Sequence, residues 1–124
     1  MKGVLLDTCI IIDYLRQKQQ ATDYIEALPS VPHLSAVTVM ELYAGVRGRK
    51  EERQLEIMIG HSVVLDVSSE IGAEAGTILK EYRPKNGMDA IDAIIAATAK
   101  GHNLELATLN LKHFAMFKEL KRPY

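Results

Sequence analysis

GMDAIDAIIAATAKGHNLELATLNLKHF, residues Gly87 to Phe114, decides the fold. The stretch reads as helix, turn, strand and polar loop. Asp89 to Lys100 suits a helix: Asp89 is an N-cap, and Ile91, Ile94, Ile95 and Ala99 mark one broad apolar face. Lys100 complements the negative C-terminal end, and Gly101 fits a left-handed stop. Leu104 to Thr108 then alternates as a short strand does. A helix rises about 1.5 Å per residue and a strand about 3.3 Å, so a ten-residue helix and a five-residue strand have similar lengths, about 15 Å. Packed back on the strand that follows it, the helix sets its own start beside that strand's end. Asp92, in the first turn, should therefore share one sheet edge with Thr108 and Asn110. Open α/β sheets place ligands at that edge.

Working outward, the chain upstream alternates strands and helices. Val4-Leu5-Leu6 is an apolar run without alternation, as in a strand buried on both faces. Asp7 ends it, and Ile10 to Leu15 continues as a helix that Asp7 or Thr8 can cap. Ala21 to Leu28 is a second helix, closed by Pro29 and Pro32. His33 to Ala36 is a second strand, and Thr38 to Val46 a helix that Gly48 helps to end. Glu51 to Ile59 forms another helix, stopped at Gly60. His61 to Val67 is a third strand. Ser69 to Tyr82 is a long helix, broken at Arg83-Pro84. Beyond Phe114 a short amphipathic tail has Phe117 and Leu120 as its anchors. The alternation predicts a three-layer α/β/α sandwich around a central, mainly parallel sheet, in one domain spanning residues 1–124.

Composition narrows the function. Net charge is −1, which counts mildly against a passive nucleic-acid binder but not against an enzyme that gains charge from a bound metal. Cys9 is the only cysteine, so no internal disulfide forms and a reducing, cytoplasmic setting fits. The Lys and apolar run at the start are interrupted by Asp7 and Asp13 and are followed by no small-residue cleavage site, so they do not read as a signal peptide. No stretch is long and apolar enough to suggest a membrane helix.

Three acids occupy comparable positions. Asp7 follows the first strand, Glu41 lies in the first turn of the helix after the second, and Asp92 opens the helix described above. All three should converge on one sheet edge, with Asn110 beside them. Carboxylates so placed repel one another, and a proton or a cation must neutralise them. Oxygen ligands without a Cys or His set favour Mg²⁺ or Mn²⁺. Such a site suits metal-dependent phosphodiester hydrolysis. Each acid also has a purely local role: Asp7 as an N-cap, Glu41 in a Thr38-x-x-Glu41 capping box, Asp92 at the helix dipole.

The supporting candidates divide in the same way. Thr8 orients a water at the metal or caps the first helix. Asn110 is a weaker ligand or a turn residue, and Asp89 an outer ligand or, more simply, a cap. Asp66 ends the third strand at the same edge, but Ser68-Ser69 marks a cap region there. Cys9 reads as a small core residue. His33, His61, His102 and His113 show no zinc-like spacing and read as turn or surface residues, with His113 nearest the site. The basic run Arg47, Arg49, Lys50 and Arg53 follows a helix end and complements its dipole. Arg83, Lys85 and Lys112 border the edge and are the candidates for contact with phosphate.

The chain resembles PIN-domain ribonucleases, specifically VapC-type toxins of toxin–antitoxin pairs. The carrying blocks are Leu5-Leu6-Asp7-Thr8-Cys9, Ser35 through Gly45 (SAVTVMELYAG), Asp92 through Ala99 (DAIIAATA), and Ala107-Thr108-Leu109-Asn110 with His113-Phe114. The resemblance implies Mg²⁺- or Mn²⁺-dependent cleavage of RNA, often tRNA or another structured RNA. It also implies a homodimer and an antitoxin whose tail enters the active-site groove. The family's first three acids fall on Asp7, Glu41 and Asp92, and Thr8 and Thr108 match polar positions near its site. The family's fourth position, often Asp, is Asn110 here, one negative charge fewer, which bears on whether one metal or two is held. The acid often found before the final Phe is His113.

Two other readings compete. A catalytically weak RNA- or protein-binding module on the same fold is motivated by Asn110 and the near-neutral charge. A phosphotransfer domain fits the fold class, but Cys9 stands where an aspartate-nucleophile phosphatase needs a second Asp, and Asp7-Thr8 lacks a receiver's paired acids.

Overall fold

Val4, Leu5 and Leu6 are all buried, and the two faces they present explain the layering. Leu5 joins a core with Ile71, Ile78, Ile95 and Phe114, whereas Val4 and Leu6 join a second core with Ile10, Ile11, Leu42 and Leu55. A strand alternates its side chains across the sheet, so these are the cores on its two sides. The structure, a computed structural model, describes residues 2–124. Its elements run β1 Val4–Leu6, α1 Thr8–Leu15, α2 Gln19–Glu26, β2 His33–Ser35, α3 Ala36–Gly45, α4 Gly48–Gly60, β3 Val63–Leu65, α5 Ser69–Asn86, α6 Ala90–Gly101, β4 Glu105–Ala107, and a 3₁₀ turn Leu111–Phe114. The strands lie in the order β3-β2-β1-β4, and every pairing is parallel. Helices α1 to α4 supply one outer layer and α5 and α6 the other, the α/β/α sandwich expected from the alternation. Phe117 and Leu120 pack against the α5–α6 core as tail anchors. No described helix is long and apolar enough to cross a membrane.

Several expected boundaries shift, each for a physical reason. Helix α5 is not broken at Arg83-Pro84 but continues to Asn86. Pro84 removes one N–H from an exposed last turn, where the carbonyl left without a partner is open to solvent. The helix stops instead at Gly87, whose φ of 66° is left-handed and whose amide returns to the Arg83 carbonyl at 3.2 Å. Gly101 is not the left-handed stop of α6; it is helical, and Asn103 takes the positive φ of 54°. A Cβ on Gly101 would lie 2.9 Å from the Ile71 side chain, so this glycine serves close packing of α6 on α5. Gly48 opens α4 rather than ending α3. Helices α1, α2, α3 and α4 each begin two or three residues earlier than their hydrophobic periodicity suggests. The Thr38-x-x-Glu41 capping box does not form: Ser35 caps α3 by accepting from the Val37 amide, which puts Thr38 inside the helix.

Candidate functional site

Parallel strands end together, and the residues that leave β1, β2 and β4 define one edge. Asp7 is the N-cap of α1, accepting the Thr8 amide on Oδ1 at 2.8 Å. Its Oδ2 accepts the Thr108 hydroxyl at 2.6 Å, which joins the ends of β1 and β4. Thr108 is fully buried, and its oxygen also receives the Asn110 amide at 3.0 Å. Asp7 is only 4% exposed; its Oδ1 accepts one protein hydrogen bond and keeps a lone pair, while Oδ2 accepts the Thr108 hydroxyl and, weakly at 3.6 Å, the Cys9 thiol.

Glu41 projects from α3 to the same edge. The Thr8 hydroxyl donates to Glu41 Oε1 at 2.6 Å. That oxygen of Thr8 also lies 3.3 Å from the hydroxyl of Thr38, which is fully buried. Thr8 has one proton and the shorter contact takes it, so Thr38 donates back. Sequence reasoning assigned Thr38 to a cap and missed this contact. The signal was the spacing itself: three residues before Glu41 on a helix is the same face.

Asp92 opens α6 in a reciprocal capping box. Its amide donates to Asp89 Oδ1 at 2.8 Å, and its Oδ2 accepts weakly from the Asp89 amide at 3.4 Å. Asp89 is thus a cap, and the box expected in α3 occurs here instead. His113, on the 3₁₀ turn, sets Nδ1 3.1 Å from Asp92 Oδ2. Burial, then the charges of Asp89 and Asp7, push the Asp92 carboxyl up to about 6; the Asp89 amide and His113 oppose them.

Cys9 stands against the same group, with Sγ 3.6 Å from Asp7 Oδ2 and accepting the Leu109 amide at 3.5 Å. Burial and the Asp7 charge push its thiol up to about 11, so it stays protonated and unreactive.

Asn110 is exposed, and its backbone carbonyl accepts the His113 amide at 3.0 Å. Arg83 and Lys85, in the last turn of α5, and Lys112, on the 3₁₀ turn, are exposed and make no ion pair with the three acids. The structure therefore joins Asp7 and Glu41 through Thr8, and sets Asp92 within electrostatic reach of Asp7. Among the described residues, no three His, Cys, Asp or Glu side chains are gathered tightly enough to chelate one ion as they stand. The edge is open and oxygen-lined, which suits a hard cation that keeps much of its water and does not suit a closed zinc cage. A groove of about 800 Å³ lies elsewhere, between β4 and the tail, and none of the three acids lines it.

The family model for the PIN domain matches residues 4–120. The chain belongs to the PIN-domain family. Among curated relatives, Ribonuclease VapC10 of Mycobacterium tuberculosis is 34% identical, the match covering 98% of this chain and 92% of the relative. Ribonuclease VapC19 of the same organism is 35% identical over 97% of this chain and 98% of its own length. Among solved structures, a toxin–antitoxin complex from Klebsiella pneumoniae superposes with a TM-score of 0.86 at 31% identity, covering 98% of each chain. The PIN-domain fold and the VapC-type likeness thus extend over nearly the whole chain.

Proposed function

We propose that this PIN-domain protein is a Mg²⁺- or Mn²⁺-dependent endoribonuclease, the toxin of a toxin–antitoxin pair. The observation that carries the proposal is the hydrogen-bonded edge where Asp7, Thr8, Glu41 and Thr108 meet beside Asp92. The ribonuclease names of its relatives, and the toxin–antitoxin complex that superposes on it, support the same reading. The residues fit a hard divalent ion in two respects. The donors are carboxylate oxygens, and the Asp92 carboxyl, held up by burial and then by its neighbours' charge, gains from an added positive charge. Asp7, Glu41 and Asp92 would hold the ion, with Asn110 a weaker donor. When bound, it supplies Lewis-acid polarisation of the phosphodiester and charge for the departing oxygen. The protein's part is orientation. Thr108 fixes the Asp7 carboxylate, Thr8 fixes Glu41, and Thr38 holds Thr8 from below. Asp89 holds the start of α6 so that Asp92 faces the edge.

The substrate in this reading is structured RNA such as tRNA, with Arg83, Lys85 and Lys112 contacting its phosphates. The protein partners are an antitoxin and a second copy of the chain. Met40 and Tyr43 on α3 and Ile57 on α4 are 55%, 43% and 55% exposed, apolar surface that supports a protein-covered face.

The test is cleavage of mixed RNA by purified protein with Mn²⁺ or with EDTA, for wild type and Glu41→Gln. Glu41 has no capping role, and Gln still accepts the Thr8 hydroxyl but is neutral. Wild type should cut only with metal, and Glu41→Gln should fold and not cut. A folded Glu41→Gln at full activity refutes the metal role. Retained RNA binding without metal-dependent cutting by the wild type would favour the binding-module reading.

A further inference from the structure

The sheet ends at β4, whose outer side no described strand covers. On its inner side the Glu105 amide donates to the Gly3 carbonyl and the Ala107 carbonyl accepts the Asp7 amide, each at 2.9 Å. Residues of a strand face a given neighbour alternately, so the N–H and C=O of Leu106, which lies between them, point outward. No backbone group of the described residues bonds either one. Leu106 lines the groove of about 800 Å³ between β4 and the tail. That groove reaches both faces of the edge. Ala99 and Met116 line it on the side of the α5–α6 core, and Val4 and Tyr24 on the side of the α1–α4 core. An added strand would send alternate side chains to these two walls, as β4 itself does with Leu106 and Ala107.

The chain's own tail does not fill the place. It is anchored on both layers, with Leu120 packed on the α5–α6 core and the Tyr124 hydroxyl donating to Asp13 of α1 at 2.6 Å. Among the described residues no strand follows β4, and Pro123 has no N–H to give. Charge then selects the occupant. Lys2, Lys118, Lys121 and Arg122 line the groove, are exposed and form no ion pair among the described residues. Only Glu105 and Glu119 oppose them in the lining. The whole chain stands at −1, so this is a local excess of positive charge. Lysine also guards exposed edges against pairing. Here, though, the strand itself carries Glu105, and the cations ring a cavity instead of closing it. A nucleic-acid phosphate would answer the cations, but it accepts hydrogen bonds and leaves the Leu106 carbonyl unmet. A polypeptide backbone meets both Leu106 groups.

We propose that the outer edge of β4 docks an acidic, extended segment of a partner protein, which pairs with Leu106 as a fifth strand and sets its carboxylates among Lys118, Lys121 and Arg122. Main-chain pairing supplies affinity, and the ring of cations selects an acidic sequence. None of Asp7, Glu41 and Asp92 lines the groove, so this binding needs no metal and stands apart from the nuclease reading.

The experiment uses the full chain in EDTA and a short, end-blocked peptide that alternates valine with glutamate. One control replaces its glutamates by lysines. Two others keep the acidic sequence but carry N-methyl groups on alternate residues, one in each frame, which deletes strand donors without changing charge. Fluorescence anisotropy of labelled peptide measures binding, and NMR hydrogen exchange follows the Leu106 amide. The acidic peptide should bind about tenfold more tightly than the lysine peptide, and rising salt should erode the advantage. One N-methylated frame should lose binding and the other keep it, because only one set of amides faces β4. Exchange at Leu106 should slow at saturation. Joint Lys118→Glu and Lys121→Glu should weaken the acidic peptide by about the same factor and leave the unfolding midpoint unchanged. Absence of peptide binding overturns the proposal. So does binding that ignores N-methylation in both frames, that leaves Leu106 exchanging freely, or that is as tight for the lysine peptide. An RNA oligomer that protects Leu106 where the peptide does not overturns it too, and gives the groove to nucleic acid.

Discussion

Replacing Asp92 by Asn should stabilise the metal-free protein at neutral pH. The carboxyl sits at about 6 instead of 3.8, chiefly through burial and secondarily through the charges of Asp89 and Asp7. A carboxyl whose pKa is higher folded than unfolded binds its proton more tightly in the fold. Stability is therefore greatest below the unfolded value, falls as pH rises between about 4 and 6, and is level above that. Holding the carboxyl at about 6 penalises its ionised form by about 3 kcal/mol. Asn removes the charge and keeps an acceptor of similar shape. It weakens the 3.4 Å contact from the Asp89 amide and the 3.1 Å contact with His113, which together cost about 1 kcal/mol. The net gain is about 1–2 kcal/mol, or roughly 3–10 °C in melting temperature for a chain of this size. Thermal unfolding of wild type and Asp92→Asn in EDTA, between about pH 4 and pH 8, measures it. The gain should be present at pH 8 and vanish near pH 4, where wild type is itself protonated. A variant that is less stable than wild type at pH 8, or whose gain persists unchanged into acid, refutes the electrostatic reasoning. In the proposed function Mg²⁺ then stabilises wild type more than the variant, because only wild type keeps the full ligand set.

Thr108→Val should destabilise by about 2–3 kcal/mol in urea titration, since it removes the buried 2.6 Å bond to Asp7 and the acceptor for the Asn110 amide. A cost below about 0.5 kcal/mol would mean that the strand ends are held by packing alone. Gly87→Ala should cost about 1 kcal/mol because the helix end needs its φ of 66°, although no atom lies within 4 Å of the added methyl. An unchanged unfolding midpoint would place the stop elsewhere.

The fold was legible because its signals are repetitive. Apolar runs at Val4-Leu5-Leu6 and the periodic face of α6 each carry several residues of consistent pattern, and alternation of strand and helix leaves few topologies. Boundaries were less legible because single residues carry them. Gly48, Gly101 and Pro84 all read as punctuation, yet Gly48 opens α4 with a left-handed φ of 72°, Gly101 is packed inside α6 and Pro84 lies in the exposed last turn of α5. Strand ends set the positions of Asp7 and Asp92 along the chain, but among the described residues the three acids do not gather into one tight group. What the sequence hid was which polar neighbours each acid touches. Thr38 matched a capping pattern as well as Ser35 did, and only the strand's exact end at Ser35 decides between them. The contact of Thr8 with Glu41 spans 33 residues, and that of Thr108 with Asp7 spans 101, so no local pattern announces them.

That last contact has a consequence for synthesis. β1 is made first and β4 nearly last, yet β4 pairs with β1, an interior strand of the sheet, and Thr108 makes the short bond to one oxygen of Asp7. A growing polypeptide still tethered to the ribosome has its earliest carboxylate held only by its own neighbours, the Thr8 amide and the Cys9 thiol, until the tunnel has released residues beyond 108. Assembly of the edge is thereby deferred to the end of translation.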